Sequence, residues 1–422
     1  RSRIQGEQPI AFLNKLQGVA YQVNTFVLDV AEELVKKGRK VGKAPKFIPE
    51  TAIEDLPPKP PDIDTNKEAR KEYCRAAAEV HNRNNTLIRK SCRTRMTMNA
   101  ARKFRDVKRF FIPWSFDYRG RAYPIPAFLT PQDTDFGKSL IRFHEESFLT
   151  EGAEYWMKFQ LATTYGLDKK TIKERLEWVD DNITLIKNIA NDPLRHLSDW
   201  EVADEPWQFL AACEEYYHCL IECDRSHTGL PIAVDATCSG LQILAGLARD
   251  KGTAQLVNVL PGDKPADAYK TVAEAMIPLL SPEDQWIGEH IDRTVTKRSV
   301  MTIPYNATED SSSKYIRKAL KDKKIQIDGK TGYRLAVCLR EAMSKVAPGP
   351  LKVMTWIKRE MGNAIKRGKG VIEWQTPSGF KVHQKRDNYK VDILNLKLLG
   401  RTKFHVVAGE TGPSKRKHEA CG

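Results

Sequence analysis

The chain has 422 residues, 41% of them hydrophobic, which is enough for two or three domains with separate cores. No uninterrupted apolar run approaches the roughly 20 residues that a bilayer-crossing helix needs, and no charged-then-apolar leader opens the chain. A soluble, intracellular protein is expected, and its 69 Lys and Arg against 54 acids, a net charge of +15, point to a polyanionic partner such as nucleic acid.

From Ala11 to Lys37 apolar residues recur every three to four positions, at Leu13, Leu16, Ala20, Val23, Val27, Val30 and Leu34, which reads as one amphipathic helix ended by Gly38. KAPKFIPETAIEDLPPKPPDID, with six prolines, reads as an extended connector. Residues 66 to 110 hold 14 Lys/Arg and 4 Asp/Glu, and over 66 to 108 the pattern is helical. Such a rod can lie along a sugar-phosphate backbone, although a basic run taken alone is equally a solvated helix face. FIPWSFDYRGRAYPIPAFLT (111 to 130) is aromatic and broken by Pro and Gly, more strand and loop than helix, and opens a new domain.

Helical patterns fill 151 to 225, where residues 171 to 225 carry 5 cations against 13 acids and are expected to face solvent. Cys213, Cys219 and Cys223 cluster there without a paired CxxC, so structural thiols in a reducing compartment are expected rather than zinc ligands. LPIAVDATCSGLQILAGLA then reads as a short buried strand, Leu230 to Val234, a turn, and a helix starting near Ser239. Residues 264 to 280 and 283 to 321 are again helical, and TPSGFKVHQK (376 to 385) with VDILNLKLLG after it reads as hairpin-forming strands.

Two stretches carry candidate chemistry. Asp235 would stand at a strand tip followed by the small residues Ala236, Thr237, Ser239 and Gly240, which leaves backbone open to a ligand. Mg²⁺ takes hard oxygen ligands from one or two carboxylates together with substrate phosphates. An acid after a strand can instead merely cap the next helix, and on spacing alone that reading is the favoured one. In DRTVTKRSVMTIPYNAT, a helix over 289 to 303 puts Arg293 and Lys297 one turn apart on one face, continued by Met301 and Tyr305. Such a pair can grip a triphosphate, the guanidinium as a fork and the ammonium as a point charge that can donate a proton. An exposed basic helix with a buried tyrosine gives the same pattern.

Together these stretches resemble the single-subunit phage-type DNA-dependent RNA polymerases, which share the palm, fingers and thumb of family A DNA polymerases. The resemblance rests on Asp235 within LPIAVDATCSGLQ and on Arg293, Lys297 and Tyr305 within RTVTKRSVMTIPY. FDYRGRAYP (116 to 124) and WQTPSGFKV (374 to 382) resemble two further segments of that family, in the same order. It implies a predominantly helical α+β right-hand fold. Residues 1–62 would be a remnant of an N-terminal domain and linker, 63–110 thumb helices, 111–262 palm and 263–422 fingers.

The resemblance also implies template-dependent ribonucleotidyl transfer with two Mg²⁺ ions, on a double-stranded DNA template and promoter, from ribonucleoside triphosphates into an RNA transcript. A monomer is expected, in the cytoplasm of an infected bacterium rather than in an organelle. Asp235 would bind both metal ions, with the Ala236 carbonyl as a further ligand. Lys297 would protonate the departing pyrophosphate and Arg293 would hold the phosphates. Tyr305 would stack at the insertion site and sense the sugar, and Lys169, in GLDKK, would meet the triphosphate. Asp117, Arg119 and Arg121 would contact template and hybrid. Gly240, where the DNA enzymes carry a bulky acid, leaves room for a ribose 2′-OH, and Met301 stands where those enzymes carry an aromatic residue. A related DNA polymerase or primase is disfavoured on these two positions. A nucleic-acid-binding protein that has lost its chemistry is disfavoured by the intact Asp235, Arg293, Lys297 and Tyr305.

The pattern breaks in three places. The family's second catalytic carboxylate belongs to a His-Asp pair, and this chain has no His-Asp dipeptide; His418-Glu419 is the nearest imitation. A fragment is expected, with that motif beyond Gly422 and most of the N-terminal domain before Arg1, and the 422 residues alone are expected to be inactive. Asn306 follows Tyr305 where the family usually has Gly, tolerable because Asn also adopts left-handed backbone. SSSK (311 to 314) replaces a more aromatic segment.

Overall fold

Gly18 interrupts what the apolar spacing reads as one helix. The computed structural model of the chain describes residues 6–38, 53–262, 264–385, 387–396 and 402–413, with side chains as far as Lys385. They form two compact units, one of residues 7–233, the other of residues from Val234 onward together with Gly6. The protein is α+β and predominantly helical. The division falls after Ala233, inside the span 111–262 that the sequence resemblance gives to the palm.

The first unit runs α1 (Glu7–Gln17), β1 (Ala20–Val23), α2 (Thr25–Lys36), α3 (Lys67–Phe104), β2 (Phe110–Phe111), β3 (Trp114–Phe116), β4 (Ala122–Pro124), α4 (Asp135–Ser139), β5 (Ile141–Phe143) and β6 (Ser147–Phe148). It continues with α5 (Glu151–Tyr165), α6 (Ile172–Asp181), α7 (Ile183–Asn191), α8 (Leu197–Trp200), α9 (Pro206–Tyr216) and β7 (His227–Thr228). The expected single helix from Ala11 to Lys37 is thus α1, β1 and α2. Tyr21 and Val23 alternate into the core of an antiparallel sheet ordered β2-β1-β5, and Asn24 restarts the helix by accepting the Val27 N–H at 3.1 Å. Val23 and Val27 keep helical spacing across the break, which is why periodicity alone misses it. Gly38, at φ +61°, follows α2.

The 38 residues of α3 bury only a narrow stripe that includes Ala77, Val80, Thr94, Met98 and Ala101. Arg93 reaches the buried Asp133 at 2.7 Å, while Arg102 and Arg105 pair with Glu32 and Asp29. The proline-rich connector, where it is described, is tied to the same helix: Glu54 pairs with Arg83, and its backbone exchanges hydrogen bonds with the Asn84 side chain. Residues 43–52 of the connector lie outside the described residues.

The core of this unit is aromatic. Trp207 meets Phe136 and Trp200 edge-on at 4.8 and 5.3 Å between centroids. Asp135 accepts the backbone N–H groups of Trp207 and Gln208 and so starts α9. The acidic run 171 to 225 does not simply face solvent. Glu214 and Glu215 are buried and hold Arg225 and Arg142, and Glu215 also accepts from the Thr228 hydroxyl and the Gly229 N–H. Cys213 and Cys219 are buried and Cys223 is exposed.

The second unit runs α10 (Ser239–Ala248), α11 (Lys251–Leu256), α12 (Ala268–Met276), α13 (Arg293–Thr302), α14 (Glu309–Asp322), α15 (Gly329–Val346) and α16 (Pro348–Lys366). The strands β8 (Val371–Gln375), β9 (Lys381–Lys385), β10 (Asp387–Leu396) and β11 (Thr402–Pro413) follow. Its core gathers Leu241, Tyr269, Val272, Met276, Val295, Val300, Ile316 and Leu339. Asp250 caps α11 and also takes the Gly349 N–H at the start of α16, so one carboxylate fixes two helix starts. The expected strands are formed over 381–385 as β9, paired with β8, and over 391–396 within β10, paired with β11, while residues 397–400 lie outside the described residues. Residues 376–380 of TPSGF form the turn of the first: Thr376 accepts the Phe380 N–H, and Gly379 sits at φ +85°. His418-Glu419 lies outside the described residues.

The expected strand from Leu230 to Val234 is not formed. The Gly229 carbonyl still accepts the Phe143 N–H of β5, but residues 230–236 have no sheet partner among the described residues, the Ala233 N–H goes to the Gln160 side chain at 3.2 Å, and Val234 is 74% exposed. An apolar run becomes a strand only where a neighbouring ladder takes its backbone groups, and none does so here.

Candidate active site

The turn after Asp235 is fixed by backbone conformation. Cys238 adopts a left-handed conformation, φ +56° and ψ +58°, and α10 starts at the next residue. A non-glycine residue there is strained, and such strain persists only where the surroundings over-determine it. Asp235 itself is exposed; its Oδ1 accepts the Ala236 N–H at 2.8 Å, and it has no cationic partner among the described residues. One carboxylate oxygen thus remains open beside the Ala236 backbone. That donor set suits a hard divalent cation which completes its shell with water and phosphate oxygens.

The capping Asp292 accepts the N–H groups of Thr294 and Val295 and starts α13. Val295, Thr296, Ser299 and Val300 point inward, and the opposite face presents Arg293, Lys297 and Met301, with Tyr305 beyond it on a tight 3-10 turn. The helix expected over 289 to 303 begins only at Arg293, after a 3-10 stretch over Pro282–His290, and the stripe expected from spacing is one face of that helix and its C-terminal turn. Asn306 closes it in the left-handed conformation, at φ +59°. Lys297 is exposed and has no hydrogen-bond or ion-pair partner among the described residues.

Gly240 joins the two stretches. A Cβ placed on it would stand 2.9 Å from the Pro304 Cβ and 3.7 Å from the Tyr305 ring, so the start of α10 lies directly against the end of the Arg-Lys-Tyr helix. From there Lys297 and Arg293 lie roughly 12 and 18 Å back along the helix. The second unit thus has an acid and open backbone five residues before Gly240 in the chain, an exposed tyrosine at the junction, and two cations leading away.

Asp267 and Tyr269 join this site without any sequence expectation. Arg293 donates through Nε to Asp267 at 2.6 Å and lies over the Tyr269 ring at 5.4 Å. The Tyr269 hydroxyl meets the Cys238 thiol, and burial pushes both pKa values up. The legible signal was Asp267 as a helix cap within PADAYK; its reach to a residue 26 positions away was not.

The remaining predicted residues belong to the first unit. Asp117 accepts the backbone N–H groups of Arg119 and Arg121 and the Arg119 guanidinium, and Gly120 sits at φ +83°, so DYRGR is the turn of the β3-β4 hairpin. Burial resists ionisation of Asp117, but the hydrogen bonds from Arg121 and Arg119 outweigh it and hold the pKa below the usual range. Asp117 therefore shapes the turn that displays Arg119 and Arg121. Lys169 lies in the loop between α5 and α6, paired with Asp168.

Comparison with known proteins shows the family of the chain. The chain is 31% identical to the mitochondrial DNA-directed RNA polymerase of Neurospora crassa, over 86% of this chain and 26% of the relative. It is 29% identical to the DNA-directed RNA polymerase of Enterobacteria phage T3, over 88% of this chain and 47% of that one. With the T7 RNA polymerase of Escherichia phage T7 it shares 29% identity, over 92% and 49%. The chain thus spans between about a quarter and a half of the length of these relatives, whose names divide between phage and organelle. The family model described as DNA-dependent RNA polymerase matches residues 148–419, well over half of the sequence, and the chain belongs to that family.

Proposed function

We propose that the chain is the core of a single-subunit DNA-directed RNA polymerase, adding ribonucleotides to an RNA 3′ end on a DNA template. The observation that carries the reading is the Gly240-Pro304-Tyr305 contact, which brings an open carboxylate and a face with two cations into one unit. In this reading the enzyme is a monomer with a right-hand architecture, 63–110 serving as thumb, 111–262 as palm and 263–422 as fingers. Asp117, Arg119, Arg121 and Lys169 contact template, hybrid and nucleotide.

Asp235 and the Ala236 carbonyl would hold Mg²⁺, which when bound would supply Lewis-acid activation of a 3′-hydroxyl, while the second ion of the pair would offset charge on the pyrophosphate. A second ion needs a second carboxylate. The sequence has no His-Asp pair, and among the described residues no group of three or more His, Cys, Asp or Glu gathers. Arg293 grips the phosphates by its outer N–H groups, and Lys297 gives its proton to the departing oxygen. Tyr305 supports the base and sugar. At Gly240 no side chain meets a 2′-hydroxyl.

The test is to append a downstream segment carrying a strand-borne His-Asp and offer the protein a primed DNA template. Extension with ribonucleotides is expected, reduced about a thousandfold or more by Asp235→Asn, while the 422 residues alone give none. Extension that survives Asp235→Asn, or that uses deoxyribonucleotides equally well, removes the reading.

A further inference from the structure

We infer that Asp267 is a positioning residue that fixes the angle of Arg293, an assignment that rests on the nucleotide-binding reading above. Its two oxygens do different work. Oδ1 caps α12, accepting the backbone N–H groups of Tyr269 and Lys270 at 3.0 and 3.3 Å, and Oδ2 accepts from Arg293 Nε at 2.6 Å. The guanidinium is therefore held along its inner edge, and its outer N–H groups make no further hydrogen bond among the described residues. From one side the Tyr269 ring fixes its plane, at 5.4 Å. Tyr269 is tied in turn to α13 by the Thr296 hydroxyl, which donates to its carbonyl at 2.8 Å, and to the turn after Asp235 by the Cys238 thiol.

An arginine held by Nε presents its two terminal nitrogens as a fork, the geometry that matches phosphate bidentately. Without Asp267 the side chain would sample many rotamers, and each would have to be given up on binding. Removing the carboxylate also removes a negative charge near the phosphates, which by itself favours an anion. That charge is already matched by Arg293 and lies at a part-exposed position, where water and salt screen its reach to more distant phosphates. Ordering of the fork therefore outweighs it.

Asparagine separates the two jobs of this residue, because it caps a helix as well as aspartate does but offers an NH₂ where Arg293 needs an acceptor. Binding of ATP with Mg²⁺, and of inorganic tripolyphosphate, is measured on the 422-residue chain by titration calorimetry. Asp267→Asn is expected to keep the melting temperature and weaken ATP binding about five- to tenfold. In an Arg293→Ala background the same change is expected to have no further effect. Native ATP affinity in Asp267→Asn, or an equal loss in the Arg293→Ala background, overturns the positioning role. If Arg293→Ala itself leaves ATP and tripolyphosphate affinity unchanged, the nucleotide reading of the site fails and takes the inference with it.

Discussion

A Cβ added at Gly240 would stand 2.9 Å from the Pro304 Cβ, closer than such atoms pack, with the Tyr305 ring next at 3.7 Å. The family resemblance implies one reason for a glycine here, room for a ribose hydroxyl, and the structure adds a second, room for the neighbouring helix end. Both make the same substitution costly by different routes. Gly240→Ala should destabilise the second unit by about 1–3 kcal/mol, as overpacking does, and raise the KM for ribonucleotides by displacing Tyr305. Thermal unfolding and steady-state kinetics of an active, extended form read the two effects separately, and native values in both would mean that Pro304 yields freely. At this scale the sequence was legible wherever a residue's neighbours along the chain decide its role. Arg293 and Lys297 share a helix face because they are four apart, and Asn306 turns left-handed because it follows a tight turn. Asp267 was hidden because its partner lies 26 residues on, and only the folding of α12 against α13 brings them together.

Among the elements, the helices of the second unit and the long α3 follow their apolar spacing, whereas the misreadings occur where a strand decides the outcome. Between α1 and α2 the apolar positions keep helical spacing through β1, and only the pairing of Tyr21 with Phe110 and Phe143 makes it a strand. At Leu230–Val234 the composition favours a strand, but no ladder neighbour takes its backbone. Partnership in a sheet is tertiary information, which a local pattern does not contain. The join of α4 to α9 shows how such long-range contacts set stability. Asp135 accepts two backbone N–H groups and the Gln208 amide, yet burial outweighs those bonds and raises its pKa to about 6, above the roughly 3.9 of an unfolded aspartate. The folded state therefore binds this proton more tightly than the unfolded one. Stability from this residue rises as pH falls from about 7 towards 4 and is lost as pH rises through 6. The full effect is up to about 3 kcal/mol. Comparing wild type with Asp135→Asn by chemical denaturation between pH 7 and 4.5 isolates it: their stability difference should change in the wild type's favour on acidification. A difference that is flat with pH would mean that Asp135 stays ionised.

For the molecule as a whole, the net charge of +15 says that a polyanion is welcome but not where it lies. Ion pairing narrows the choice. On α3 and at its C-cap, Arg83, Arg93, Arg102 and Arg105 are engaged by Glu54, Asp133, Glu32 and Asp29, and the last three of these pairs anchor the helix to the rest of the first unit. Lys71, Arg75 and Arg89 are exposed and have no ion-pair partner among the described residues. At 100° per residue these three fall within roughly 40° of one another, on the side of the helix opposite its buried stripe. A line of unpaired cations along one edge of a long rod is what a phosphate backbone can follow, and each phosphate neutralised releases counterions. Binding of the chain to a labelled duplex, followed by anisotropy from 50 to 300 mM salt, should give a straight line of log affinity against log salt. Replacing Lys71, Arg75 and Arg89 together with glutamine should make that slope shallower by about 2 to 3, at roughly 0.9 per lost contact. Arg102→Gln and Arg105→Gln should change it little, because those charges are already spent on acids of α2, and should lower the melting temperature instead. If the triple variant keeps the native slope, this edge of α3 does not carry the phosphates and other unpaired cations do.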